Sequence, residues 1–234
     1  EIAILSRVGK PTCFIVTDID ESTDPPTAWL SRTIVQQKVQ DRMLDSLRPG
    51  DVIPARVTHL EPFGAFVDAG CGVPSLIGIE NLSVSRICHP SDRLTVGQSI
   101  LAAVRTVEPE NRRISLTHRE LLGTWAQNAA LFSVGETVRG VVRSIEPYGV
   151  FIELTPNLSG LAEPRADLHP GMAVSVYIKS ILPQRMKVKL TIIDVLSPYD
   201  APTPPRYFIT GGHIDAWTYT PVGCDKKPVK TVFE

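Results

Sequence analysis

Residues 50–67 (GDVIPARVTHLEPFGAFV) return 85 positions later, at residues 135–152, as GETVRGVVRSIEPYGVFI. Gly50 aligns with Gly135, Val57 with Val142, and Glu61-Pro62 with Glu146-Pro147. Gly64 and Phe66 align with Gly149 and Phe151, and Phe63 becomes Tyr148. A chain that repeats itself at this spacing is built from copies of one unit, so the architecture follows from the unit. The apolar stretches in it are short, β-branched residues are common, and Gly and Pro break them often, which reads as many short strands joined by turns.

The shared element, aromatic-Gly-x-aromatic, has a chemical meaning. In a regular strand, positions i and i+3 face opposite sides. A bulge at Gly64 would reset that alternation and bring Phe63 and Phe66 to one face, and Gly149 would do the same for Tyr148 and Phe151. Two aromatics side by side on an exposed sheet make a platform for stacking unpaired bases. The alternative is that Phe66 and Phe151 are core residues while Phe63 and Tyr148 cover an edge.

Further segments complete the unit. Pro62-Phe63-Gly64-Ala65-Phe66-Val67 is followed by Ile77-Gly78-Ile79-Glu80-Asn81-Leu82-Ser83, by residues 96–108 (VGQSILAAVRTVE) and by Arg113-Ile114-Ser115-Leu116-Thr117. Together these resemble the S1 RNA-binding motif, in an arrangement similar to the S1-like proteins of Gram-positive bacteria. The resemblance covers roughly residues 1–193 and is strongest over 48–119. It implies a predominantly all-β fold of tandem five-stranded OB-type barrels joined by short helical linkers, with a small C-terminal hairpin.

A third copy is partial. Residues 8–20 align with the stretch from Val96-Gly97 onward, and Leu30-Ser31-Arg32 with Leu116-Thr117-His118. Residues 1–33 are therefore expected to be the closing strands of a truncated upstream repeat, and the chain a piece of a longer protein. Residues 34–47 form a helical linker whose helix starts at Ser31 or Thr33 and stops at Pro49-Gly50. A barrel spans 48–119. A second helical linker covers 120–132, with Gly123 dividing it, and Trp125 either anchors the barrels to each other or stacks on a base. A shortened barrel spans 133–193, and a Pro-rich linker and hairpin fill 194–234, with strands expected on either side of Gly211-Gly212.

The resemblance carries over modestly. Phe63, Phe66, Tyr148 and Phe151 match the family's stacking aromatics, and Arg113 and Lys187 match the basic residue that opens the last strand. Neither copy keeps the His the motif commonly places on its third strand: Gly78 stands there in one copy, and the other reads Gly160-Leu161-Ala162-Glu163. The repeat offset falls from 85 to 74 after the third strand, so the second copy lacks about 11 residues where the first has Ser83 to Leu94.

A net charge of −1 argues against a phosphate binder, since such domains usually carry a basic stripe. The distribution is uneven, however. Residues 172–191 hold Lys179, Arg185, Lys187 and Lys189 with no acid, and Arg105, Arg112, Arg113 and Arg119 gather near the end of the first full copy. These are either a basic lane or charges that protect strand edges.

No apolar run reaches the ~18–20 residues of a membrane span. Cys13, Cys71, Cys88 and Cys224 are scattered without a Cys-x-x-Cys pair, so no zinc or redox motif stands out, and reduced thiols in a cytoplasm are expected. His213, Asp215 and Cys224 fit no zinc spacing. No carboxylate cluster or nucleophile motif for catalysis is present, and no cofactor or metal is implied. The expected function is non-catalytic binding of single-stranded RNA, messenger RNA in translation, in contact with a ribosome or ribonucleoprotein and with no membrane. The alternative is a protein-docking module in which one or both barrels bind protein.

Overall fold

A computed structural model of the protein describes residues 12–197 and 204–234; Val8 to Pro11 of the partial copy and residues 198–203 of the Pro-rich stretch lie outside these. The chain begins with a hairpin of β1 (Ile15–Asp20) and β2 (Thr27–Ser31), followed directly by helix α1 (Arg32–Ser46). Ser31 caps that helix, its hydroxyl accepting from the Ile34 N–H. The apolar side chains of its C-terminal half, Met43 and Leu44, pack with Leu47 against the core of the next domain.

Two closed barrels follow. The first comprises β3 (Val52–Glu61), β4 (Gly64–Asp68), β5 (Pro74–Gly78), β6 (Ser99–Glu108) and β7 (Arg113–Thr117). They run in the order β3-β4-β5-β7-β6, with β3 closing on β6 and a parallel contact between β5 and β7. The period-2 pattern turns Ala55, Val57, Ala65, Val67, Ile77, Val104 and Leu116 into its core. The second barrel, β8 (Thr137–Glu146), β9 (Gly149–Thr155), β10 (Leu158–Ala162), β11 (Ala173–Leu182) and β12 (Lys187–Ser197), repeats that order. The fold is therefore all-β in its body, with tandem OB-type barrels.

Between the barrels, residues 119–122 make one 3-10 turn, Gly123 breaks it at φ +84°, and α2 (Trp125–Ala129) restarts from a Thr124–Gln127 capping box. Trp125 is buried among residues of the second barrel, so it is a packing anchor. The loop between the third and fourth strands, longer in the first copy than in the second, bridges the barrels. In the first barrel it reaches across: Val84 N–H donates to Asn157 Oδ1 at 2.9 Å, Ser85 and Ser159 hydroxyls meet at 2.9 Å, and Arg93 Nη1 donates to Glu153 Oε1 at 2.7 Å. Arg143 also binds Glu153, at 3.0 Å, and lies 3.7 Å from Asp92. Arg93 and Glu153 are each only 6% exposed. Burial pushes the Arg93 guanidinium below its ordinary value, and the carboxylate beside it opposes that shift.

The tail differs from the sequence expectation. No strand flanks Gly211-Gly212; the paired strands are β13 (Ala216–Thr218) and β14 (Lys230–Val232). From residue 204 onward the tail lies along both barrels, and β13 and β14 supply the small C-terminal hairpin that was expected. Val52 N–H donates to Gly212 O at 3.0 Å, Phe208 N–H to Leu121 O at 2.8 Å, and Tyr219 O–H to Asn157 O at 2.6 Å. Trp217 and Tyr219, whose rings meet at 5.8 Å, are buried in the core that the second barrel shares with the linker. His213 takes Asp51 at 2.7 Å, and no metal-holding cluster exists among the described residues.

One tail contact is sensitive to protons. Tyr207 O–H accepts from Leu101 N–H at 3.0 Å and donates to His118 Nε2 at 3.0 Å, while His118 Nδ1–H donates to Leu82 O at 3.1 Å. In that arrangement His118 is neutral. Burial drives its pKa from 6.5 down to about 4, with Arg93 adding to the drop and the Leu82 carbonyl and Glu120 opposing it. The unfolded chain thus binds a proton that the native state refuses. This stability is fully present above about 6.5 and is lost as pH falls through about 4, up to roughly 3 kcal/mol. Urea unfolding at a series of pH values should show this decline, and His118→Gln should flatten its component between pH ~6.5 and ~4.

Candidate nucleic-acid interface

Strand register defines one outer row on each barrel. In the first, His59 on β3 opposes Phe66 on β4, which opposes Leu76 on β5, which opposes Ser115 on β7. In the second, the row reads Ser144, Phe151, Leu161 and Lys189. Phe66 and Phe151 therefore sit on the outer faces, between inward neighbours Ala65 and Val67, or Val150 and Ile152.

Phe63 and Tyr148 join them by a route other than the expected bulge at glycine. The bulge lies on the partner strand, at Thr58 between Val57 and His59, and at Arg143 between Val142 and Ser144. Phe63 and Tyr148 occupy the hairpin turns just ahead of β4 and β9, outside strand alternation, and fold back over the strand. Ring centroids of Phe63 and Phe66 lie 6.0 Å apart at 87°, and those of Tyr148 and Phe151 6.2 Å apart at 89°. These edge-to-face pairs leave the outer rings open: Phe63 is 56% exposed and Tyr148 67%.

The glycines serve a different purpose. A Cβ on Gly64 would stand 2.4 Å from the Ile77 carbonyl oxygen, and one on Gly149 2.6 Å from that of Ala162. They allow the second and third strands to approach where the barrel wall bends.

The structure sorts the basic residues. Arg105 donates to Asn81 Oδ1 at 2.8 Å, Arg112 pairs with Asp41 at 2.7 Å, and Arg119 with buried Glu120 at 3.0 Å. Lys179 pairs with Glu163 at 3.1 Å. The expected Arg cluster is thus mostly engaged in structure. Arg113 opens β7 opposite Glu108, and Lys187 opens β12 opposite Leu182; both are exposed, with no ion pair or side-chain hydrogen bond among the described residues.

Two residues were not placed in the aromatic row from the sequence, although Lys189 was among the candidate lane cations. His59 stands beside Phe66, rings 6.5 Å apart at 32°, and binds Glu61 at 2.7 Å. Lys189 falls in the aromatic row itself. The offset of 74 that equates Arg113 with Lys187 equates Ser115 with Lys189, and was the available signal. Two clefts, of about 250 and 590 Å³, lie at the barrel junction and between hairpin and first barrel; neither includes an aromatic pair. The rows are open surfaces suited to an extended polymer.

Residues 46–119 match the family model for the S1 RNA binding domain. This is an S1-domain chain. It is 32% identical over 190 residues to a protein of Staphylococcus aureus (strain COL) named small ribosomal subunit protein bS1, covering 74% of this chain and 48% of that protein. The Staphylococcus epidermidis protein of the same name is 33% identical over the same shares. The S1-domain chain spans about half the length of the curated relatives it matches. Among solved structures, the solution structure of GSP13 from Bacillus subtilis aligns at 27% identity with TM-score 0.31, over 36% of this chain and 60% of that one.

Gly64→Ala and Gly149→Ala each force a methyl into a carbonyl oxygen. Each should lower stability by about 1–3 kcal/mol, read as a shift in urea midpoint, whereas Phe63→Ala, at an exposed site, should change it by under about 1 kcal/mol.

Proposed function

We propose that the chain binds single-stranded RNA without cleaving it, stacking bases on Phe63 and Phe66 in the first barrel and on Tyr148 and Phe151 in the second. Arg113 and Lys187 contact phosphates beside them. The observation that carries this reading is the repeated geometry: both barrels hold an edge-to-face aromatic pair on the same outer row, with a free cation on the last strand. Stacking tolerates any base, so the binding has little sequence preference. The match of residues 46–119 to an S1 RNA binding domain and the names of the staphylococcal relatives support messenger RNA bound during translation in the cytoplasm, in association with the ribosome.

Residues 12–31 belong, in this reading, to the last hairpin of a further barrel. Val16 opposes Leu30 and Asp18 opposes Trp29, with Thr17 bulged between. The same step occurs at Arg105 in the β6–β7 pair and at Lys179 in the β11–β12 pair. Val104 and Leu116, the equivalents of Val16 and Leu30, are fully buried, whereas Val16 is 47% and Leu30 53% exposed.

The longer loop of the first barrel docks within the chain, on β9 and β10 of the second barrel and the turn between them. The test is titration of a fluorescent single-stranded RNA of ~10–15 nucleotides against wild type and Phe63→Ala/Phe66→Ala. Stacking energies of ~1–3 kcal/mol per base imply at least about tenfold weaker binding by the variant. Equal affinity of the two folded proteins would refute the platform, and absence of binding would favour protein docking.

A further inference from the structure

The tail is outside the repeated unit, yet one of its loops touches the second barrel at a telling place. Asp225 N–H donates to Gln184 O at 3.1 Å. Gln184 lies in the tight turn between β11 and β12, which also carries Arg185 and leads into Lys187 and Lys189. Lys226 and Lys227 follow Asp225 at once; both are exposed, and neither side chain has a partner among the described residues. Asp225 is the single acidic residue of residues 216–233. We propose that Lys226 and Lys227 extend the RNA path of the second barrel, adding phosphate contacts beyond Lys189, Lys187 and Arg185. This rests on the RNA-binding reading above and deepens it.

The physical case is continuity. From Phe151 the outer row reaches Lys189 through Leu161, and Lys187 follows two residues along the same strand and on the same face. Arg185 sits in the turn, and the Asp225–Gln184 contact places the two tail lysines past it. Lys179, the other cation of this stretch, is neutralised by Glu163 and stays out of the lane. Cations spaced along one direction track a backbone, whereas paired surface cations do not. The tail is anchored by buried Trp217 and Tyr219, so the loop is held in place without having to be ordered by RNA.

The probe is a fluorescent oligouridylate of ~12 nucleotides, titrated at several salt concentrations against wild type, Lys226→Ala/Lys227→Ala, Tyr148→Ala/Phe151→Ala and Lys38→Ala/Arg42→Ala. The last removes two exposed cations from α1, away from the tail loop. Each lost phosphate contact lowers the salt slope by about 0.7 for a single strand. The tail variant should therefore lose about 1.4 in slope, and from ~50 to ~200 mM salt wild type should weaken about sevenfold more than the variant does. The α1 variant should match wild type. An unchanged slope in the tail variant, with loss in Tyr148→Ala/Phe151→Ala, would overturn the tail path while leaving the RNA reading intact. Equal slope losses in the tail and α1 variants would also overturn it, as a diffuse charge effect. Failure of wild type to bind would remove both readings.

Discussion

Arg93 and Glu153 meet in the seam between two barrels, largely shielded from water, and the arrangement of the molecule depends on that meeting. Burying two charges costs several kcal/mol per ion, recovered only when geometry and surrounding hydrogen bonds are right. Here Ser83 accepts from Arg93 Nε, Arg143 supports the carboxylate, and Asp92 balances Arg143. Such a pair tolerates one relative placement of the barrels and penalises others. Tail and linker work in the same direction. Asn157 is fully buried, gives its amide to the Arg119 and Gly123 carbonyls and accepts from Val84, so one side chain ties linker, loop and second barrel.

The seam also bears on the aromatic face. Glu153 is two residues from Phe151 on β9 and shares its side of the sheet, so the first barrel's loop covers one end of the outer face whose other end carries Tyr148. On the first barrel, α1 does the equivalent at the β4–β5 turn, where Gln36 donates to Gly72 O at 2.7 Å. Each barrel therefore has its outer face trimmed by the element that precedes it.

Much of this was legible in the residues. The offset of 85 between Gly64 and Gly149 predicted equivalent strands, and β3 and β8 begin and end 85 apart. Ser31 as a cap and Gly123 as a divider were readable because capping and positive φ depend on local sequence. What escaped depends on contacts across the fold. The role of Gly64 is set by Ile77 on another strand, and Lys189 enters the row only through parallel pairing with Leu161. The seam joins residues 60 apart in the chain, and no local pattern announces it. The tail has no repeat to be compared with, so Tyr207, Trp217 and Tyr219 had no readable purpose before His118, Asn157 and the shared core were seen around them.

The β1–β2, β6–β7 and β11–β12 hairpins share a bulge at Thr17, Arg105 and Lys179. They differ in side chains: Trp29 stands where the barrels have Ser115 or Lys189. The inner residues of the first hairpin, Phe14, Val16 and Leu30, remain open to solvent. In the reading that residues 12–31 close a further barrel, these three side chains face its core.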